Sequence, residues 1–270
     1  MDWKKINHIA FDADDTLWSL EAQFWEIERR FLALLAPYGS ADALAEKLVA
    51  VERGNHPVYG YGVKSFTLSM IETALACSGG RIPAEDVGRI LDFGKTLLNA
   101  PVIPFADAEP LLAFLCRRCR LIVATKGDLL DQERKLKNSG LLGYFHHIEI
   151  MSEKKTADYR KLLKHLDASA QEFLMVGNSM SSDILPVLEL GGSAIHIPAP
   201  VPLRYPDAPA DIVSPRLLTL GSLAELFRLV SRKLQAAPSI DTRHLTPRPK
   251  TETEKMADAY ERHDISDDIY

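Results

Sequence analysis

Three carboxylates crowd into four residues, Asp12, Asp14 and Asp15, directly after an apolar run at residues 6–11. Two carboxylates about 4 Å apart repel by roughly 4 kcal/mol at an effective dielectric of 20. Such a pair must take up a proton or share a cation. Hard oxygen ligands of this kind suit Mg²⁺, which binds through one or two carboxylates plus a substrate phosphate. The same acids could instead cap a helix and complement its dipole. Capping accounts for Asp15 and Thr16 but not for Asp12, which follows a strand pattern without a break.

The elements that must hold these residues can be read next. A short apolar run bounded by polar residues reads as a buried strand, here residues 6–12. Side chains alternate along extended chain, so Asp12 and Asp14 are expected on one side. Open parallel sheets bind ligands in the crevice beyond the carboxyl ends of their strands. Residues 19–100 then carry four helical patterns and no clear strand. The first has Leu20, Phe24, Ile27, Phe31 and Leu34 at spacings of three and four. The second runs from the cap residue Ser40 to about Arg53, the third covers 63–77 and the fourth 84–99, after Pro83. Residues 53–64, rich in Gly and aromatics, are expected as a loop between the second and third. Glu21, Glu28 and Arg29 read as a solvated helix face.

From Pro101 the pattern becomes alternating: strands near 121–124, 145–150, 173–176 and 194–197, with helices near 107–118, 128–139, 156–166 and 183–190 between them. Alternation of this kind implies an α/β fold with a parallel sheet and right-handed crossovers. Residues 198–211 read as surface loop, 216–234 as one more helix, and 236–270 as a solvated, disordered tail. The expected organisation is a core from 1–18 and 101–235, with 19–100 inserted as a helical domain.

Polar groups recur at the later strand ends: Thr125 and Lys126, then Lys154 or Lys155, then Asn178 to Asp183. Together they form a coherent phosphate site. Thr125 offers a hydroxyl, a lysine neutralises both phosphate and carboxylate, and Asp183 completes a metal site.

The chain thereby resembles the haloacid dehalogenase-like superfamily of phosphohydrolases. The resemblance rests on Asp12-Ala13-Asp14-Asp15-Thr16, Thr125, Lys154 and Gly177-Asn178-Ser179-Met180-Ser181-Ser182-Asp183, and covers about residues 6–197. It implies a Rossmann-like three-layer parallel sheet with an α-helical cap. It also implies Mg²⁺-dependent hydrolysis of a small phosphate monoester through an aspartyl-phosphate on Asp12. Asp14 would act as general acid and base, Thr125, Lys126 and Lys154 would hold the phosphoryl group, and Asp12, the Asp14 carbonyl, Asn178 and Asp183 would hold the metal. Lys154 is favoured over Lys155 because Tyr159 stands five residues later. Asn178 departs from the more usual Asp. The alternatives within the family are a 2-haloacid dehalogenase, which typically carries an aromatic residue where Asp14 stands, and a phosphonatase, for which Lys47 and Lys64 are candidates without a supporting motif. His56 and Tyr61 in the 53–64 loop are expected to read the leaving group.

Composition narrows the classes further. The 270 residues are 46% hydrophobic and 26% charged, with a net charge of −5, which argues against nucleic-acid binding. No run reaches the roughly 18 apolar residues of a membrane span. No signal-peptide pattern precedes the first strand, and three cysteines fit a reducing, cytoplasmic setting. Cys116 and Cys119 read as packing, since a zinc site needs four ligands. His146 and His147 alternate across a strand and cannot share a metal. The expected partner is a small phosphate ester, with the chain a monomer or homodimer.

Overall fold

The computed structural model describes residues 1–205 and 212–234, all within one compact unit. The reading of 236–270 lies outside the described residues, as does most of the far end of the 198–211 loop.

Six parallel strands form one sheet in the order β3-β2-β1-β4-β5-β6. They are β1 (His8–Phe11), β2 (Arg120–Lys126), β3 (His147–Met151), β4 (Phe173–Gly177), β5 (Ser193–His196) and β6 (Leu217–Thr219). Period-two alternation sends β1 side chains to both faces. Ile9 and Phe11 pack with Leu111, Leu112 and Leu115 of α5 (Ala108–Leu115) and with Leu226 and Val230 of α9 (Leu223–Leu234). Ala10 faces the other way, onto Tyr159 and Leu162 of α7 (Thr156–His165). Helices on both faces make three layers, and central strands buried on both sides explain their continuous apolar sequences.

Register sets the rim. Phe11 pairs with Val123 on one side and Val176 on the other. Asp12, Thr125 and Asn178 therefore leave adjacent strands one or two residues beyond a common row.

Between β1 and β2 the chain forms α1 (Glu21–Leu35), α2 (Ala41–Tyr59), α3 (Val63–Ser78) and α4 (Ala84–Leu98). These helices bury their own apolar cluster, with Phe31, Leu35, Leu48, Phe66 and Met70 at its centre. Burying each such side chain contributes about 1.5–3 kcal/mol. Among the described residues no helix is long and apolar enough to cross a membrane.

Several sequence expectations are corrected. The 53–64 loop is mostly helix: α2 runs through Gly54, Asn55 and Pro57 to Tyr59, leaving Gly60-Tyr61-Gly62 as the connection. Tertiary partners override the local turn formers. Asn55 Nδ2 donates to Ser69 Oγ of α3 at 3.0 Å, and Glu52 is held by Arg204. Pro57 lies in the last turn, where one lost backbone donor costs little. The 216–234 segment begins with edge strand β6, too short to show a period, before α9 starts at Leu223. The turn after β4 is a π-helical one, Met180–Ile184, and only Leu185–Glu189 (α8) is α-helical. The remaining helix, α6 (Leu129–Asn138), follows β2.

The chain after β5 is not simply surface loop, and Glu28 is not solvated. Arg204 Nε donates to Glu28 Oε2 at 2.6 Å and Nη2 to Glu52 Oε2 at 2.7 Å, with all three side chains under 10% exposed. Its backbone N–H donates to Glu21 Oε1 at 2.5 Å, and its guanidinium lies 4.4 Å from the Phe66 ring centroid. An acid in a helical repeat reads as solvated by default; its partner stands 176 residues away.

Removing one member of a buried ion pair leaves the other charge uncompensated. Arg204→Met should therefore lower unfolding stability by about 3–5 kcal/mol in urea titration. Adding Glu28→Gln and Glu52→Gln should recover part of that loss. An unchanged midpoint for Arg204→Met would show that the triad does not stabilise the fold.

Candidate active site

Asp12 leaves β1 with its backbone N–H still bonded to Val176 of β4 at 2.9 Å. The carboxylate is thus fixed at the sheet rim. Lys154, from the loop between β3 and α7, places its ammonium 2.6 Å from Asp12 Oδ1 and 2.5 Å from Asp183 Oδ1. Lys154 and Asp183 are both buried. Lys155 instead caps α7, its N–H donating to Asp158 Oδ2 at 3.1 Å. The choice between the two lysines is therefore decided by geometry. Tyr159, buried one turn into α7, donates to the Ser182 carbonyl at 3.0 Å and ties this helix to the turn carrying Asp183.

Asp183 sits where a side chain at position 177 would otherwise be. A Cβ on Gly177 would come within 2.3 Å of Asp183 Oδ2, so only glycine admits the carboxylate. Ser179 N–H donates to that oxygen at 3.0 Å.

Two carboxylates against one ammonium leave this centre short of positive charge. Burial pushes the Asp12 carboxyl up to about 7; Lys154 opposes the rise and Asp183 adds to it. Asp12 Oδ2 and Asn178 Oδ1 both face the Thr16 hydroxyl, at 3.5 and 3.3 Å. The available donors are hard oxygens with uncompensated charge, which fits Mg²⁺ held through few carboxylates and several waters. Among the described residues no three His, Cys, Asp or Glu side chains form a metal cage. A cation here would rest on Asp12, Asp183, the Asn178 amide and the Asp14 backbone carbonyl.

The Asp14 side chain has other partners. Lys135 of α6 donates to both its oxygens at 2.8 and 2.7 Å, Gln132 Nε2 at 2.9 Å and Trp18 Nε1 at 2.8 Å. Burial raises this carboxyl, but the Lys135 ammonium overrides it and holds the group below the usual carboxylate range. The Lys135 ammonium thus favours the ionised carboxylate at Asp14. Gln132 and Lys135 were missed because a helical Gln and Lys carry no local signal. Only the packing of α6 against the turn after β1 brings them in.

Asp15 has φ of 58°, a left-handed backbone that turns the chain directly after Asp14. Its carboxylate accepts from the N–H groups of Leu20 and Glu21 and so caps α1. Thr125 is buried and its hydroxyl accepts from Gln132 at 2.9 Å; the cap of α6 is Asp128. Lys126 places its ammonium 3.8 Å from the Tyr61 ring centroid. Tyr61 donates to Glu153 at 3.2 Å and stacks on His56 at 4.4 Å between centroids. Of the two phosphonatase candidates, Lys64 pairs with Asp128 at 3.0 Å. The sequence-derived residues Asp12, Asp14, Thr125, Lys126, Lys154, Asn178, Asp183, His56 and Tyr61 all line one cavity of about 270 Å³.

Comparison with known proteins agrees on the architecture. A family model described as haloacid dehalogenase-like hydrolase matches residues 6–191. A haloacid dehalogenase-like family hydrolase from Xanthomonas campestris is 38% identical, with a TM-score of 0.76 over 86% of this chain and 93% of that one. A HAD-hydrolase of Bacillus subtilis bound to magnesium (16% identical, TM-score 0.59, 84% and 99% covered) shares the fold. So does a 2-haloacid dehalogenase from Pseudomonas syringae (19%, 0.57, 84% and 99%). No curated relative matches the chain.

An opposite charge in contact lowers a carboxyl by about 1–3 pKa units. Lys135→Met should accordingly move the Asp14 carboxyl ¹³C titration to higher pH by about that amount, with Asp14→Asn identifying the signal. An unmoved titration would mean that Lys135 does not hold Asp14 ionised.

Proposed function

The chain belongs to the haloacid dehalogenase-like hydrolases, and from that premise we propose that it is a Mg²⁺-dependent phosphomonoester hydrolase acting through an aspartyl-phosphate. The observation that carries this reading is the buried Lys154 ammonium bridging Asp12 and Asp183, with a second ionised carboxylate, Asp14, on the same cavity.

Lys154 opposes the rise that burial imposes on the Asp12 carboxyl and gives the phosphoryl oxygens a fixed positive charge. Such preorganised charge is the main contribution an enzyme makes to phosphoryl transfer. The Thr125 hydroxyl, oriented by Gln132, donates to another phosphoryl oxygen. An Asp12 oxygen attacks phosphorus, and the bond from phosphorus to the ester oxygen breaks. Water then attacks the aspartyl-phosphate. Asp14 is placed to protonate the leaving oxygen as general acid and to take a proton from that water as general base. Mg²⁺ bound among Asp12, Asn178, Asp183 and the Asp14 carbonyl would neutralise charge on the transferring group.

The family's dehalogenases are the second reading, and Asn178 is the residue that favours it. A departing halide needs no proton, however, and a buried carboxylate at position 14 would then cost stability without serving the reaction. The small-molecule phosphate ester as partner follows from the phosphatase reading.

Asp12→Asn should reduce hydrolysis of 4-nitrophenyl phosphate by about 10³-fold or more, equivalent to about 4 kcal/mol of barrier. Chelation of divalent cations should abolish it and Mg²⁺ restore it. Undiminished turnover in Asp12→Asn would remove the nucleophile from this scheme.

A further inference from the structure

The cavity has two chemically different ends. Lys126 and Lys154 face the reacting centre. The opposite wall comes from α1, α2, the start of α3 and the chain around Arg204. There three carboxylates, Glu21, Glu28 and Glu52, surround a single guanidinium. Arg204 has Nε on Glu28 and both Nη atoms on Glu52, so its charge is already matched. Burial pushes the His56 imidazole below its ordinary range, which leaves it neutral. Lys126 places its ammonium 3.8 Å from the Tyr61 ring centroid, with the Glu153 carboxylate acting on it electrostatically. Arg53 lies beyond Tyr205, 5.9 Å from that ring.

One hydroxyl on this wall lacks a partner among the described residues. Ser65 Oγ, in the first turn of α3, is buried without a hydrogen bond and lines the cavity beside Tyr205, whose hydroxyl interacts with Glu52. A buried hydroxyl left unpaired costs free energy, so a ligand that satisfies it is favoured. The stacked His56 and Tyr61 rings add an apolar face beside these polar groups.

We propose that this wall is the leaving-group subsite and selects an uncharged polyhydroxy alcohol, rejecting esters that carry a second anion. The assignment rests on the phosphatase reading and deepens it. Ligand hydroxyls can donate to Glu21 and Glu52 and pair with Ser65. A ligand carboxylate on this wall meets the like charges of Glu21 and Glu52, and the guanidinium beside them, Arg204, is already paired with Glu28 and Glu52; such juxtapositions are strongly unfavourable. The same wall disfavours 2-haloacids, which are carboxylates.

The test compares glycerol 3-phosphate with 3-phosphoglycerate, which differ by a hydroxymethyl in place of a carboxylate, using the full chain with Mg²⁺. kcat/KM should favour glycerol 3-phosphate by at least about tenfold. Glu52→Gln, which releases Arg204, should narrow that ratio. Ser65→Ala, which leaves every ion pair intact, should lower kcat/KM for glycerol 3-phosphate by a larger factor than for 4-nitrophenyl phosphate, whose leaving group carries no hydroxyl for Ser65 to bind. Equal or better use of 3-phosphoglycerate, or a ratio indifferent to both substitutions, overturns the assignment alone. Failure to hydrolyse any of the three esters, with 2-chloropropionate dehalogenated instead, overturns the phosphatase reading and the assignment with it.

Discussion

A buried ammonium between two buried carboxylates is the constraint on which the rest of this molecule turns. Lys154 cannot be placed beside Asp12 and Asp183 unless three adjacent segments end at one level. Parallel β1 and β4 in register, and β3 one strand beyond β2, provide that level. The desolvation of such charges is expensive, and close pairing recovers it only when geometry is good. Gly177 supplies part of that geometry by leaving space for Asp183, and Tyr159 supplies more by tying α7 to the same turn. Burial and the Asp183 carboxylate still raise the Asp12 carboxyl against the pull of Lys154.

The second carboxylate on the cavity has different charged partners from the first. Asp12 and Asp14 are two residues apart, yet burial raises one while an ammonium lowers the other. Environments that push neighbouring carboxyls in opposite directions allow them different work. Here the division depends on α6, which presents Gln132 to both Thr125 and Asp14 and Lys135 to Asp14 alone. One helix therefore orients the hydroxyl and sets the charge state of the second acid.

The wall opposite the reacting centre is also an ion-pair structure. Arg204 joins acids from α1 and α2 and lies against Phe66 of α3. A single side chain after β5 thus fixes three helices inserted after β1. Two members of the triad, Arg204 and Glu52, also line the cavity.

Much of the fold and the reacting centre was legible in the sequence. Apolar runs ending abruptly in acids, hydroxyls and lysines specify buried strands and a polar rim, because period and burial are local properties of chain. Asp12, Thr125, Lys154, Asn178 and Asp183 follow from that pattern, and they line one cavity. What tertiary structure alone decided is who pairs with whom. Lys135 on Asp14, Arg204 on Glu28 and Glu52, and the persistence of α2 through Gly54, Asn55 and Pro57 all depend on groups distant in sequence. A charge on a helix carries no record of its partner. Only packing, by removing water from both, makes that partner obligatory.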